Sequence, residues 1–545
     1  MINSSSTAIP PGSFVISSLP STQTHKALLL EDTKKLIIKN CNLPEMKKFR
    51  GISSGWQHSV DQKEQWYCVK ELLNISRSSI NHNEQENSYK DQVKNFFSKT
   101  KGQAKTCFED SAITSSLRRG IDTLLSSEKI EDITTLRKVC KARDTIIVWN
   151  ILEKQAQVDS RKAPKLSEIT SIENLLSQAK GFNAWFQSHQ EQLSRFVTLN
   201  LNNNKLTSLP PEIWLLTNLT SLGLAQNQLA SLPNEIKQLK MLTSLELRGN
   251  NLTFLPSDIG QLGQLQILIV NDNKLSNLPA EIGQLSQLTS LQACNNQITF
   301  LPAQIEMLKQ LQVLELHNNK LLCLPAEIGQ LSQLVNLDLS NNRLKLLPEQ
   351  FAQLSGLKSL YIQNNHLNCL LAICQLTDLE NLNLESNELF SIPTEIGKLF
   401  NLHCLNLRNN KLPLLPFSME KLTQLKELDL ANNVLTLLPV VIGQWVQLAE
   451  LDLSNNKLTE LHDVLSQVIN LTDLDVSNNE LTTLPSKMEK LINLRNLNLA
   501  NNLITSLPPV IGQMQQLREL NLKDNHMSLS KPEIRQLFQI DKFTF

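Results

Sequence analysis

A chain of 545 residues is too long for one ordinary hydrophobic core, so it must hold several domains or one elongated array. Its formal charge is zero, yet residues 1–195 carry 28 of the 52 basic and 21 of the 52 acidic residues, a balance of +7 against −7 for the remainder. The two parts therefore differ in kind, and neither is basic enough to favour a nucleic-acid partner.

The distribution of cysteines and the sequence of the amino terminus indicate the cellular compartment of the protein. The nine cysteines are dispersed along the chain without a C-x-x-C pair, which favours reducing conditions. The first residues lack a basic region followed by a long apolar run, and no segment approaches the roughly 18 apolar residues that span a bilayer. We expect a soluble, cytoplasmic protein with no membrane span.

Residues 1–24 are rich in Ser, Thr and Pro and are predicted to form a disordered leader. Residues 25–162 are predicted to form a small, mainly helical region that includes a disordered polar linker at 76–105. The helical prediction rests on apolar residues that keep helical spacing from Ile121 to Leu152. No motif assigns a purpose to this region.

Residues 163–195 are predicted to form a helical cap, because the first repeat of an array would otherwise expose its core. After Ser167, apolar residues between 169 and 179 share one helical face, and Gly181 is predicted to end that helix. A second apolar stripe follows at Trp185, Phe186 and Leu193.

Residues 196–527 repeat one pattern, L-x-x-L-x-L-x-x-N-x-L followed by L-P-x-E-I-G-Q-L. Fifteen copies occur at intervals of 23 residues, except for one interval of 22 where the segment 370–373 loses a proline and one residue. We expect a local kink there. The asparagine of the pattern falls at positions 204, 227, 250, 273, 296, 319, 342, 365, 387, 410, 433, 456, 479, 502 and 525.

Each repeat predicts one strand and one short return. Apolar residues alternate in Leu245-Glu246-Leu247, which is the period of a strand with one buried face. The segment 278–285 places Ile and Leu three apart behind a proline, as in a short helical or 3₁₀ turn. Stacked copies would share one core behind a curved parallel sheet, and the recurring asparagine would pair backbone groups buried beside it.

Residues 528–545 are predicted to cap the far end of the array. Pro532 would open a helix there, since proline suits the first helical position. Its apolar residues are Ile534, Leu537 and Phe538.

The repeats resemble the leucine-rich repeat family, in its 23-residue L-P-x-E-I-G-x-L class, which occurs in Ras-associated scaffold proteins and in intracellular bacterial repeat proteins. The resemblance covers residues 196–527. It implies an α/β leucine-rich-repeat solenoid with a curved parallel sheet of fifteen repeats, here preceded by a helical region. It also implies a protein partner, with small GTPases and protein phosphatases as the kinds of partner that the resemblance suggests.

The concave sheet face carries the candidate partner-binding residues, at positions 3, 5 and 7 counted from the first leucine of a repeat. Ile267, Ile269, Val313 and Tyr361 stand out, since apolar and aromatic anchors among polar groups are typical of interface hot spots. The alternative is that isolated exposed apolar residues are ordinary on any surface. The polar candidates on the same face are Glu246, Arg248, Gln292, Glu315 and His317.

A second candidate is a block of carboxylates at positions 3 and 5 of three consecutive repeats. Such a block would favour a basic partner and accelerate its encounter. Alternatively, aspartate at position 5 belongs to the L-D-L-S-N-N form of the repeat and only solvates the sheet. We call the block the acidic patch; it comprises Glu427, Asp429, Glu450, Asp452, Asp473 and Asp475.

Catalytic chemistry has one candidate, Cys294 beside His317 and near Glu315, a conceivable thiol and base pair. An open sheet face supplies neither an oxyanion site nor exclusion of water, so catalysis is disfavoured. Cys369 and Cys374 are predicted to be buried structural thiols rather than metal ligands beside His366. No phosphate loop, H-E-x-x-H or G-x-S-x-G motif occurs.

Three functions compete. The first is a monomeric scaffold or adaptor that binds a protein partner without catalysis, cofactor or metal. The second is a bacterial effector delivered into a host cell, suggested by the leader and the regular repeats, which would also act by binding. The third is an enzyme: a ligase domain after the repeats does not fit in the 20 residues that follow Asn525, so an activity would have to lie within residues 25–160.

Overall fold

The computed structural model describes residues 85–109, 113–127, 130–157, 163–527, 537 and 540–545. The chain divides into two compact units, residues 1–99 and 100–545, and the second contains the repeats. The predicted leader lies outside the described residues, as does the helix expected from Pro532 except at Leu537.

Five α-helices lie before the repeats in the described ranges. Capping side chains fix two of their starts, because the Thr114 hydroxyl accepts from the Leu117 N–H and the Ser171 hydroxyl accepts from the Asn174 N–H. The helices are α1 Gln85–Glu109, α2 Ser115–Ser126, α3 Ile130–Ala156, α4 Ile172–Ser188 and α5 Gln190–Leu193.

Two helix predictions are wrong. The polar stretch 76–105 is helical from Gln85 onward, where α1 runs through it. Gly181 does not end a helix but lies inside α4. One glycine costs a helix only about 1 kcal/mol, which is less than the gain from burying Phe182 and Trp185 on the same helix.

The repeats build one parallel sheet in which strand order follows chain order. Leucines on successive strands pair with each other, as Leu245 does with Leu268, so one face of every strand enters the same core. A sixteenth strand, which the sequence did not predict, continues the sheet past the last repeat. The strands are β1 Thr198–Asn200, β2 Ser221–Gly223, β3 Ser244–Glu246, β4 Ile267–Ile269, β5 Ser290–Gln292, β6 Val313–Glu315, β7 Asn336–Asp338, β8 Ser359–Tyr361, β9 Asn381–Asn383, β10 Cys404–Asn406, β11 Glu427–Asp429, β12 Glu450–Asp452, β13 Asp473–Asp475, β14 Asn496–Asn498, β15 Glu519–Asn521 and β16 Lys542–Thr544.

In the described residues a short 3₁₀ helix returns the chain after each of the strands β1 to β14. Pro279 precedes the return Ala280–Gln284, whose Ile282 is buried; the fixed φ of proline suits such a start. In the irregular repeat the return shrinks to Ile373–Gln375, while β8 and β9 remain paired, so the deletion is absorbed behind the sheet. The other returns are Pro211–Leu215, Asn234–Gln238, Ser257–Gln261, Ala303–Met307, Ala326–Gln330, Glu349–Gln353, Thr394–Lys398, Phe417–Lys421, Val440–Gln444, Asp463–Gln467, Met488–Lys490 and Pro509–Gln513, and Leu166–Glu168 is a further 3₁₀ helix before α4.

The recurring asparagine pairs backbone groups inside the stack. Asn342 Nδ2 donates to the carbonyl oxygens of Leu316 at 3.0 Å, Leu339 at 3.0 Å and Ser340 at 3.2 Å, and its Oδ1 accepts from Leu321 N–H at 2.9 Å. From Asn227 onward, each asparagine thus connects its own repeat with the preceding one and satisfies groups that water does not reach.

Helices α3, α4 and α5 share the repeat core. Trp149 of α3 packs against Phe182 and Trp185 of α4 with its ring tilted to both, at centroid distances of 5.8 Å and 5.7 Å, and this aromatic group continues into the leucines of the first repeats. Gln155 Nε2 also donates to Thr198 O on β1 at 2.8 Å. This hydrogen bond pairs a carbonyl group at the open edge of the sheet. The helical region therefore closes the array that follows it.

Candidate protein-binding face

Positions 3 and 5 of the repeats form two columns of side chains on the concave face. The central leucine of each strand is buried, and the residues on either side of it face outward. Ser244, Ile267, Ser290 and Val313 follow one another in the first column by strand register. Adjacent side chains in a column lie about 4.8 Å apart, so four or five strands present a surface as wide as a helix.

The apolar candidates are spread along this face. Ile267 and Tyr361 are 39% and 40% exposed, and Ile269 and Val313 are half-buried. They occupy β4, β6 and β8, so one polar strand separates each apolar strand from the next. Side chains on alternate strands are roughly 10 Å apart, which makes them spaced anchors rather than one continuous cluster.

Position 7 does not behave as a third exposed column. Arg248 is exposed and its Nε donates to Asp272 Oδ2 at 2.7 Å. Asn271 and Cys294, which the sequence places on the open face, are buried instead, and Asn271 Oδ1 accepts from Cys294 N–H at 2.9 Å. Each strand ends at position 5, and beyond it the chain turns toward the buried asparagine. The prediction that position 7 points to solvent is therefore wrong for these two residues.

The thiol and base pair is poorly suited to nucleophilic catalysis. Burial raises the pKa of Cys294 to about 11, and the nearby carboxylate of Glu315 contributes in the same direction. The His317 Nδ1 atom lies 3.2 Å from Asp338 Oδ2, so the imidazole faces a carboxylate on the next strand. A thiol held protonated cannot act as the nucleophile near neutral pH.

The remaining polar candidates are tied to neighbouring repeats. Glu246 Oε2 accepts from Asn202 Nδ2 at 3.3 Å, two repeats earlier in the chain. Gln292 Oε1 accepts from Asn271 Nδ2 at 3.4 Å. These contacts fix the rotamers of both side chains on the face.

The six carboxylates of the acidic patch lie in two registered rows. Glu427, Glu450 and Asp473 pair along position 3, and Asp429, Asp452 and Asp475 pair along position 5. The aspartates of the second row each accept from a backbone N–H two residues later, those of Ala431, Ser454 and Ser477 at 2.9, 2.9 and 2.8 Å. The second row thus has a structural role in ending its strands, while Glu427 and Glu450 project as exposed side chains.

Like charges crowd the acidic patch. Burial raises the pKa of Glu450, and the carboxylates of Glu427 and Asp473 raise it further. Burial also raises the pKa of Asp429, where the Ala431 N–H acts in the opposite direction. Arg408 supplies a cation, with Nη1 3.6 Å from Asp429 Oδ2 and 3.2 Å from Asp452 Oδ2. One arginine among six carboxylates leaves the patch negative.

A groove of about 490 Å³ joins the aromatic anchor to the acidic patch. Tyr361 lies at one end, and Glu427, Glu450 and Asp452 lie at the other. The polar residues between them were not among the sequence candidates, although they occupy positions 3 and 5 of two further repeats, where the same pattern would have found them. These residues are Asn381, Asn383, Cys404 and Asn406.

The irregular repeat offers no thiol pair in its core. Cys374 is buried, and burial raises its pKa to about 12. Cys369 is exposed, so the prediction that both cysteines are buried is wrong for Cys369, because its position faces outward before the return. His366 Nδ1 lies 3.0 Å from Glu388 Oε1. Within the described ranges, no group of three or more His, Cys, Asp or Glu side chains is placed to hold a metal ion.

Among the α-helices in the described part of the chain, none is both long enough and apolar enough to cross a bilayer.

Comparison with known proteins identifies the repeats. Two family models match, a leucine-rich repeat region at residues 199–297 and 236–323 and a leucine-rich repeat at 309–367 and 469–527. No curated protein matches the chain.

Solved structures of similar proteins include some from bacteria and from plants. A leucine-rich-repeat protein of Leptospira interrogans is 41% identical over 65% of this chain and 91% of its own, with a TM-score of 0.62. The functional domain of InlJ from Listeria monocytogenes, which includes a cysteine ladder, is 26% identical over 64% of this chain and 72% of its own, with a TM-score of 0.55. A plant peptide hormone receptor, RGFR1 in complex with RGF2, is 31% identical over 64% of this chain and 62% of its own, with a TM-score of 0.53.

Proposed function

This chain belongs to the leucine-rich repeat family, and from that premise we propose that it is a scaffold or adaptor that binds a partner protein on the concave face. Leucine-rich-repeat proteins bind protein partners, and the fold is typical of interaction modules rather than of enzymes. The observation that carries the proposal is the groove between Tyr361 and the acidic patch, since it combines an exposed aromatic side chain with unneutralised charge.

The chemistry of the face specifies the kind of partner. Tyr361 offers a flat apolar surface that a partner side chain can cover, and Glu427 and Glu450 are exposed acceptors at the other end of the same groove. A segment that alternates Lys or Arg with apolar side chains fits this combination. Because the carboxylates attract such a segment over several ångströms, its association rate should fall with added salt.

The experiment uses the full chain, immobilised and exposed to cytosolic extract. The parent is compared with a double variant, Ile267→Asp and Tyr361→Ala, and with Ile492→Asp as a matched control at an exposed apolar residue away from the concave face. We expect the parent and the control to retain the same protein and the double variant to lose it. Equal retention by all three would overturn the concave face as the binding surface.

A charge variant then tests the partner's chemistry. The double variant Glu427→Lys with Glu450→Lys should lower the affinity for the retained partner by at least tenfold. The reason is that two exposed carboxylates in the groove are replaced by cations. A partner whose affinity is unchanged by this variant and by salt would show that the acidic patch serves only to solvate the sheet. The host-targeted effector and the cytoplasmic location stay predictions from the sequence.

A further inference from the structure

The aspartates at position 5 of the acidic patch have both carboxylate oxygens engaged within the chain. Oδ1 of each accepts from the backbone N–H two residues later. The Oδ2 atoms of Asp429 and Asp452 lie 3.6 Å and 3.2 Å from Arg408 Nη1. Asp475 Oδ2 accepts from Asn498 Nδ2 at 2.8 Å. A cation from a partner would have to displace these contacts before it could pair with any of the three aspartates.

At position 3 of the acidic patch, Asp473 is engaged in the same way. One of its carboxylate oxygens accepts from Thr472 Oγ1 at 2.7 Å, and the other accepts from Asn496 Nδ2. Four of the six carboxylates of the acidic patch therefore have partners on both oxygens already. The charge that is open to a partner comes from the other two, Glu427 and Glu450.

Glu427 and Glu450 are exposed neighbours on β11 and β12. Among the described residues, neither forms an ion pair with a basic side chain. Burial raises the pKa of Glu450, and the Glu427 carboxylate raises it further. The Cys404 thiol lies beside Glu427, but burial and this carboxylate raise its pKa to about 11, so the thiol stays neutral and supplies no counter-charge. Two like charges thus line the groove without a cation between them.

The adjacent row shows that one guanidinium can bridge carboxylates on these two strands. Asp429 pairs in register with Asp452 just as Glu427 pairs with Glu450. Arg408 Nη1 lies within ion-pair distance of both aspartates. Neighbouring strands are about 4.8 Å apart, so a cation between two carboxylates can contact both. The two glutamates have the same strand spacing and lack such a cation.

We propose that Glu427 and Glu450 together bind one arginine side chain of the partner, in the way that Arg408 bridges the two aspartates. The inference rests on the proposed function, since it assigns the partner's cation to one site in the groove. Arginine suits this site better than lysine, because its planar guanidinium directs several N–H donors at two carboxylates at once. Because the aspartates are already engaged, the groove recognises a single arginine rather than a run of basic residues.

The position of this arginine relative to the aromatic anchor follows from the order of the strands. Tyr361 is on β8, and the glutamates are on β11 and β12, three and four strands further along the sheet. The separation is about 14 to 19 Å, which an extended segment covers in about four to six residues. The partner segment therefore carries an apolar side chain for Tyr361 about four to six residues from its arginine.

Fluorescence anisotropy with the full chain tests the proposal. The probe is a fluorescein-labelled synthetic peptide of alternating Ser and Leu that contains one tryptophan and one arginine about five residues apart. Glu427→Gln and Glu450→Gln should each raise the Kd for this peptide by at least about tenfold, because one guanidinium needs both carboxylates. The double variant should then raise the Kd little further, since the two glutamates act as a unit.

The matched control removes the ion-paired group of the adjacent row. The triple variant Arg408→Gln, Asp429→Asn and Asp452→Asn changes the net charge by +1, as each single glutamate variant does. Its asparagines keep an Oδ1 atom for the backbone N–H two residues later, as Asn383 and Asn406 do on β9 and β10. We expect the control to change the Kd by less than about threefold, because it leaves both glutamates in place.

A second peptide, with citrulline in place of arginine, keeps the shape of the side chain without its charge. It should bind the parent and the double glutamate variant equally. A parent that does not bind the arginine peptide overturns the partner chemistry of the proposed function, and this inference with it. If the parent binds but the two glutamate effects multiply, or if the triple variant loses as much affinity as a glutamate variant, only the single-arginine site is overturned.

Discussion

The carboxylate of Asp144 on α3 is bound to Thr207 in the first repeat, where its Oδ2 accepts from the Thr207 N–H at 2.9 Å and from the hydroxyl at 2.6 Å. The same oxygen accepts from the Ser208 N–H at 3.0 Å. Beside it, Arg143 Nη1 donates to Asp144 Oδ1 at 2.9 Å and to Asn204 O and Lys205 O at 3.2 and 3.1 Å. Two adjacent side chains of α3 thus pair backbone groups of the first repeat.

Asp144→Ala should destabilise the chain by about 3 to 5 kcal/mol, because it leaves buried donors and the buried Arg143 guanidinium without their anion. Asp122→Ala on α2 is the control, since Asp122 is exposed. Urea unfolding followed by circular dichroism gives the two midpoints. Equal midpoints would show that the contact of α3 with the first repeat does not stabilise the array.

Asn342→Ala should cost about 1 to 3 kcal/mol, because the backbone groups of Leu316, Leu339 and Leu321 lose their partner in a site closed to water. Asn336→Ala on the exposed face of β7 is the matched control. The loss should appear as a lower unfolding midpoint and faster amide exchange in the two adjoining repeats. An unchanged exchange pattern would contradict the role we assign to the asparagine.

Gly329→Ala should destabilise the array by about 1 to 3 kcal/mol through overpacking. A Cβ at Gly329 would lie 2.1 Å from the carbonyl oxygen of Gln350 in the next return, whereas a Cβ at Gly356 would lie 3.5 Å from its nearest neighbour, Ser332 O. Gly356→Ala is therefore the control and should have the same melting temperature as the parent. If the two variants have the same melting temperature, the returns are not packed as closely as the structure indicates.

Thiol labelling near neutral pH should modify Cys369 before Cys294 and Cys374. Cys369 is exposed, while burial raises the pKa of Cys294 to about 11 and that of Cys374 to about 12, so their reactive thiolates are scarce. Peptide mass spectrometry over a time course measures the order. Labelling of Cys294 as fast as that of Cys369 would restore the thiol at the concave face as a candidate nucleophile.

Tyr361→Ala should leave the unfolding midpoint almost unchanged while it weakens partner binding, because the ring is 40% exposed and faces the groove. Leu360→Ala, at the neighbouring buried position, should cost about 2 to 5 kcal/mol and serves as the contrast. Thermal unfolding of both variants separates the two roles. A large loss of stability in Tyr361→Ala would mean that this side chain supports the sheet.

The sequence by itself determined the repeated strand, the return behind its proline and the place of the asparagine, because each repeat packs only against its neighbours and the pattern of one copy contains those contacts. It also gave both exposed columns of the concave face, including Tyr361 and the acidic patch. Only the tertiary structure decided what depends on groups far apart in the chain or on how closely repeats approach. Cys294 is buried because the chain turns inward after position 5, and Gly329 is needed because the next return passes against it. Asp144 finds its partners 63 and 64 residues later, a separation that no local pattern records.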